Sequence, residues 1–236
     1  MSEQVKEMTA MQRIGNIFMA PEKAMASIVE KPTWLIPYLI CVIITVALQF
    51  TVLDIGIKDQ IAIMEAKDAP AERIEMVETQ MQGPMRFISI PMIPIGTLAI
   101  WAFFAGVLIL GGNTIMGGDG KFKQYFSIVA WTGLVTLVGG ILKTLLILAK
   151  GTSYGVTTSL AMIMPTPELG DSGSLIYKIL SKFDLFTIWQ LALWIIGISV
   201  LNKISKQKSA TLVVSLWILW IVVSIAIGSA FQGRFN

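Results

Sequence analysis

Five stretches of this sequence run for about 20 residues with almost no charged side chain, and they constrain the fold more than any other feature. A helix rises about 1.5 Å per residue, so each stretch is long enough to cross a hydrocarbon core of roughly 30 Å. Lys143 interrupts the third stretch, and Asp184 stands at the edge of the fourth. The pattern predicts an all-α polytopic membrane protein with five transmembrane helices, at residues 34–53, 87–111, 125–149, 184–201 and 212–231.

The composition agrees with a membrane protein. Hydrophobic residues make up 55% of the chain and charged residues only 14%, whereas soluble proteins carry about 25% charged residues. The net charge of +3 is not gathered into a basic stripe with interleaved aromatic residues, so the sequence argues against nucleic acid and leaves the lipid bilayer as the expected partner. We expect one membrane domain over residues 12–231, between short tails at 1–11 and 232–236.

The N-terminal segment lacks the features of a cleavable signal. Its residues 1–33 mix four basic with four acidic side chains, and no small-residue cleavage site follows an early apolar run. We therefore expect the first stretch to act as an uncleaved anchor. Cys41 is the only cysteine, which excludes an intramolecular disulfide.

Lysines in the short loops predict the orientation of the chain. Lys121 and Lys123 follow the second stretch, and Lys203, Lys206 and Lys208 follow the fourth. Because short cytoplasmic loops are enriched in Lys and Arg, we expect the N-terminus in the cytoplasm and the C-terminus outside. We also expect these five lysines to contact cytoplasmic lipid headgroups or partner proteins.

The residues of common catalytic and metal sites are missing from the sequence. The chain has no histidine, and no base stands near Cys41 to activate its thiol. The acidic residues lack the spacing of a calcium loop. We therefore expect no enzyme activity, no metal and no cofactor.

Lys143 is the ionisable residue that lies clearly inside a predicted span, and such residues are functional candidates. Asp184 and Asp54 are expected at the same membrane level. One interpretation is structural: Lys143 extends to the interface or forms an ion pair that joins neighbouring spans. The other is functional: these charges line an outward-facing cavity for an anion or a headgroup.

Short apolar patterns outside the spans predict surface helices at residues 57–67, 71–81 and 175–183. Within the spans, small residues at helical spacing predict close helix packing or self-association. These residues are Ala102, Gly106, Gly133, Gly139, Gly140, Ser224 and Gly228.

The segment before the first span has the pattern of an amphipathic helix lying on the membrane surface. Pro21 suits the first position of a helix, which predicts a break there, and Lys31-Pro32 predicts a turn into the first span. The residues expected on its lipid-facing side are Ile14, Ile17, Phe18, Met25, Ile28 and Val29.

Three segments together resemble the Yip domain, a five-span family named for Ypt/Rab-interacting proteins. They are RIGNIFMAPEKAMASIVEKPTWLIPYLI, IMGGDGKFKQYFSIVAWTG and KFDLFTIWQLALWIIGISVLNKISKQKS. The resemblance covers residues 12–231 and implies five helices with a cytoplasmic N-terminus. The compact chain is most similar to the bacterial and archaeal branch, which implies a location in the plasma membrane.

The resemblance implies a non-enzymatic protein that organises or scaffolds the membrane, other membrane proteins or copies of itself. The long N-terminal region with tyrosine motifs of eukaryotic members is not present here, which argues against binding of Rab-type GTPases. The alternative is a small oligomeric channel or transporter, with Lys143 near its pathway.

Overall fold

The structure is a computed structural model, and it describes residues 8–232. Helical segments, counting the 3-10 and π-helical ones, make up about 78% of these residues. In the described residues there is no strand, and a single isolated bridge joins Ser159 and Asp184. The helices are α1 (Ala10–Met19), α2 (Pro21–Glu30), α3 (Leu35–Ala66), α4 (Ala71–Gln82), α5 (Met92–Ile109), α6 (Phe122–Lys150), α7 (Leu175–Leu180), α8 (Leu185–Asn202) and α9 (Lys206–Gln232).

Five long apolar helices confirm the predicted fold class. Four of them are α3, α6, α8 and α9, and the fifth is α5 with its flanking turns, which together cover Pro84–Ile115. Each has the length and hydropathy needed to cross a membrane. The chain is therefore an integral membrane protein built from helices.

Two boundaries differ from the sequence prediction. The surface helix expected at residues 57–67 is the last third of α3, because no proline interrupts the chain between the first span and Ala66. This helix ends where Asp68 takes a left-handed conformation with φ of 51°. In the second span, the regular α-helix begins only at Met92, after a 3-10 turn at Pro84–Phe87.

The chain folds into two compact units. The first contains the described residues up to Cys41, Leu98–Thr136 and the described residues from Phe186 onwards. The second contains Val42–Thr97 and Leu137–Leu185.

The core of the first unit forms around the first half of α6. Every residue from 125 to 135 is buried, because α1, α2 and α8 cover this part of the helix. Trp131 donates its indole N–H to the carbonyl of Thr33 at 2.6 Å, and Trp194 donates to the hydroxyl of Thr132 at 2.8 Å. These bonds satisfy the polar atoms of two large buried rings, as a dry interior requires.

Polar ties join the segments of the second unit. The carboxylate of Asp59 on α3 accepts hydrogen bonds from the hydroxyls of Thr152 and Ser153 and from the Ser153 backbone N–H. A second tie joins the hydroxyl of Thr158 to the carboxylate of Asp184. Together they hold the chain after α6 against α3 and against the start of α8.

The glycines predicted to mediate close packing divide into two groups. A Cβ on Gly133 would lie 2.7 Å from the Trp101 ring, so α5 and α6 approach closely there. Gly106, Gly140 and Gly228 have no atom within 4 Å of an added Cβ, so they do not mediate close contacts within the described chain. The small-residue pattern therefore corresponds to close packing within the chain at Gly133, and self-association through the other three positions stays a prediction.

Candidate functional site: the basic face of the first unit

A glycine-rich turn connects α5 to α6. The end of α5 widens into a π-helical segment at Leu110–Ile115, which contains Gly111 and Gly112. A Cβ on Gly112 would lie 2.2 Å from the Tyr125 hydroxyl and 2.7 Å from Nδ2 of Asn202. The backbone therefore comes close to two polar side chains, and only glycine fits at this point.

Three polar side chains form a cluster against this turn, which we call the polar cluster: Asn113, Tyr125 and Asn202. The Tyr125 hydroxyl lies 2.9 Å from Oδ1 of Asn113 and 2.8 Å from Nδ2 of Asn202, so it donates to the first and accepts from the second. Asn113 in turn donates to the carbonyl of Gly120 at 2.8 Å. The cluster ties the end of α5, the start of α6 and the end of α8 together.

The polar cluster brings together the two lysine loops predicted from the sequence. Tyr125 stands just after one loop, and Asn202 directly precedes the other. All five lysines are exposed, and we call them the basic face: Lys121, Lys123, Lys203, Lys206 and Lys208. Phe122 lies between two of them and is 48% exposed.

The helices α1 and α2 pack beside the basic face. Glu22 on α2 forms a salt bridge with Lys206, and Gln124 donates to the carbonyl of Val29 at 3.0 Å. Glu22 thus offsets the charge of one lysine of the basic face, Lys206. The other four lysines of the face are exposed, and so is one acid in the glycine-rich turn, Asp119.

Arg13 fixes α1 to the end of α2. Its guanidinium donates to the hydroxyl and carbonyl of Ser27 at 3.1 and 2.9 Å, to the carbonyl of Lys31 at 3.0 Å and to the hydroxyl of Thr33 at 2.9 Å. The residue is only 5% exposed, and its guanidinium carbon lies 5.8 Å from the Trp131 ring centre. Burial lowers the pKa of this guanidinium. Arg13 thus adds hydrogen bonds to carbonyl groups at the C-terminus of α2, where the helix dipole favours a positive charge.

The predicted break at Pro21 and the predicted turn at Lys31-Pro32 are both confirmed. The prediction that six apolar residues of these helices face lipid is wrong in part. Three of its six residues, Ile17, Met25 and Ile28, are fully buried inside the protein. The other three are half-buried: Ile14, Phe18 and Val29.

The apolar side of α1 and α2 is turned inward because α6 and α8 offer it a packing surface. Phe18 contacts the Trp189 ring edge-on at 5.6 Å, and Met25 lies against Gly197. Sequence periodicity cannot distinguish a side that meets lipid from one that meets another helix, since both are apolar.

The predicted charged group around Lys143 is not assembled in the structure. Lys143 is exposed on α6, and within residues 8–232 it makes no salt bridge. Asp54 pairs with Arg86 at 2.6 Å, and Asp184 accepts a hydrogen bond from Thr158. Each acid therefore has another partner, and a functional role for Lys143 stays a prediction.

Sequence reasoning did not find Arg13 or the polar cluster. One signal was present for Arg13, which stands four residues before Ile17 and so shares its buried helix face. For the polar cluster, the signal was the presence of uncharged polar residues at the ends of three spans.

Within the described residues, no group of three or more His, Cys, Asp or Glu could hold a metal ion. The arrangement offers exposed cations and an aromatic ring, which suit binding of anionic groups.

A family model described as "Yip1 domain" matches residues 15–228 of the chain. Comparison with curated proteins and with solved structures gives no match.

Proposed function

The chain belongs to the Yip1 domain family, and from this premise we propose that it is a non-enzymatic protein that organises the lipid around it through the basic face. The observation that carries the proposal is the polar cluster, which holds two lysine loops side by side. Clusters of lysines at a membrane surface attract anionic headgroups, each contributing about 1 kcal/mol.

Phe122 supports a lipid rather than a soluble anion as the ligand. The ring is 48% exposed between Lys121 and Lys123 at the first residue of a spanning helix. Aromatic rings at such positions lie at headgroup level, with their apolar part toward the hydrocarbon. The lysines on either side would then meet lipid phosphates.

The spans support a function carried out toward the surrounding membrane. In the most apolar 18-residue window of α3, only 11% of the residues are buried inside the protein, and the value is 17% for the second and fifth spans. Their side chains are therefore available to acyl chains or to helices of other membrane proteins.

We expect neutralisation of the basic face to reduce the preference of the protein for anionic lipid. The test replaces Lys121, Lys123 and Lys208 with glutamine, leaving the Lys206 salt bridge intact. Spin-labelled phosphatidylglycerol and phosphatidylcholine report the lipid held at the protein surface. The ratio of the two is expected to fall by about twofold or more, because three cations are removed from the headgroup region.

The matched control replaces three lysines of the second unit, Lys58, Lys67 and Lys182, with glutamine. It removes the same charge and is expected to leave the ratio close to that of the unmodified protein. Equal ratios for both triple variants would contradict the proposal. Ion flux through reconstituted vesicles, above that of empty vesicles, would favour the channel or transporter alternative instead.

A further inference from the structure

The second unit contains a cavity that the proposed function does not use. It has a volume of about 460 Å³ and lies between the last turn of α6, the loop that follows and α7. Sites for single small ligands span about 300–1,000 Å³, so the cavity has the size of a ligand site.

Its lining is mostly apolar with a few polar groups. Leu146 and Ala149 on α6 form one side, and Ala161 and Met164 on the following loop form another. The polar groups are Lys150, Thr157, Thr166 and Tyr177. This combination suits an amphipathic ligand, since apolar walls hold the body and polar groups fix one end.

The polar groups keep hydrogen-bonding capacity for a ligand. The Lys150 ammonium donates to the carbonyl of Tyr154 at 2.6 Å, and an ammonium has three N–H groups. Within the described residues, the hydroxyls of Thr166 and Tyr177 make no hydrogen bond to protein. Asp59 on α3 accepts hydrogen bonds from the hydroxyls of Thr152 and Ser153 and also interacts electrostatically with Lys150, with which it forms no salt bridge within the described residues.

Gly155 shapes this polar end. Its φ of 68° lies in the left-handed region, and an added Cβ would come within 2.8 Å of Thr166 and 3.1 Å of the Lys150 ammonium. Glycine thus allows the loop to close beside Lys150 and Thr166.

The two short helices that contribute to the cavity lining, the 3-10 turn Leu160–Ile163 and α7, indicate where the ligand comes from. Large apolar side chains that belong to no spanning helix stand exposed on the 3-10 turn Leu160–Ile163 and on α7. Contiguous apolar surface of this kind is unfavourable in water and is typical of segments that lie in a membrane interface. The exposed side chains are Leu160, Met162, Ile163, Leu175 and Ile176.

We propose that this cavity binds a phospholipid drawn from the adjacent leaflet. The phosphate group meets Lys150, Thr166 and Tyr177, and the start of an acyl chain lies against Leu146 and Ala149. The inference is independent of the basic face, because every residue in it belongs to the second unit.

Photo-crosslinking in nanodiscs tests the proposal. The probes are phosphatidylglycerol, phosphatidylethanolamine and diacylglycerol, each with a diazirine on one acyl chain, and labelled peptides are mapped by mass spectrometry. We expect both phospholipids to label residues 144–182 more strongly than diacylglycerol does. Labelling by phosphatidylglycerol alone also supports the site and adds a need for negative charge.

Two matched pairs of variants locate the site. Lys150→Gln is expected to reduce phospholipid labelling roughly tenfold, as the loss of one charged hydrogen bond implies, whereas Lys182→Gln leaves it unchanged. Ala149→Trp fills the cavity and should abolish labelling, whereas Leu148→Trp on the neighbouring surface should not. Thermal unfolding confirms that each variant is folded. Equal labelling by diacylglycerol, or unchanged labelling in folded Lys150→Gln and Ala149→Trp, would overturn the proposal.

Discussion

Replacement of Arg13 with methionine is expected to lower the free energy of unfolding by about 3–5 kcal/mol. The guanidinium makes four hydrogen bonds while only 5% exposed, so its removal takes a donor from the hydroxyl and carbonyl of Ser27 and from the carbonyl of Lys31. Methionine fills much of the same volume, so the loss reports the polar contacts more than a cavity. Thermal and denaturant unfolding in one detergent measures the effect.

The control for this experiment is Arg73→Met on α4. Arg73 is exposed, and a surface replacement of this kind usually changes stability by less than about 0.5 kcal/mol. Arg13→Lys is expected to fall between the two, because an ammonium keeps the charge but lacks the planar fork of donors. A stability of Arg13→Met equal to that of Arg73→Met would contradict the role assigned to Arg13.

Replacement of Gly112 with alanine is expected to destabilise the protein by about 2–4 kcal/mol. The new methyl group would lie 2.2 Å from the Tyr125 hydroxyl, so the ring has to move and its bonds to Asn113 and Asn202 are lost. Helix propensity acts in the opposite direction, since alanine is favoured over glycine by about 1 kcal/mol. The steric effect should dominate.

Gly106→Ala on α5 and Gly140→Ala on α6 are the matched controls. No atom lies within 4 Å of a Cβ at either position, so both are expected to leave stability unchanged or to raise it by up to about 1 kcal/mol. Unfolding midpoints of the three variants, measured together, separate the contributions. A neutral Gly112→Ala would show that the polar cluster does not hold the turn.

The five spans could be predicted from the sequence because their signal is local. Each needs only length and the absence of charge, and these properties are read within one window. The break at Pro21 was predictable for the same reason, since proline acts on its own turn. The continuation of α3 to Ala66 could not be predicted in the same way, because a change from apolar to polar residues marks the end of a span without showing whether the helix continues.

The site could be predicted only in part because its contacts are remote in the chain. The two lysine-rich loops can be identified in the sequence. Their position side by side depends on the hydrogen bond between Tyr125 and Asn202, which are 77 positions apart. The inward side of α1 and α2 likewise depends on α6 and α8. An apolar stripe shows that a helix side is covered without showing what covers it.

The glycines illustrate the same limit at single residues. Gly133 and Gly106 look alike in sequence, as small residues in apolar helices. Gly133 meets the Trp101 ring at close range, whereas the position of Gly106 is open. A small residue permits close approach, but the partner that uses it is set by the tertiary fold.

The salt dependence of lipid selectivity tests the central claim most directly. The unmodified protein is reconstituted in mixed phosphatidylglycerol and phosphatidylcholine, and the lipid held at its surface is measured from low to high salt. Screening shortens the range of exposed charges from roughly 30 Å at 0.01 M to about 3 Å at 1 M. The basic face predicts a preference for phosphatidylglycerol at low salt that declines toward none at high salt. Equal binding of the two lipids at low salt would contradict it.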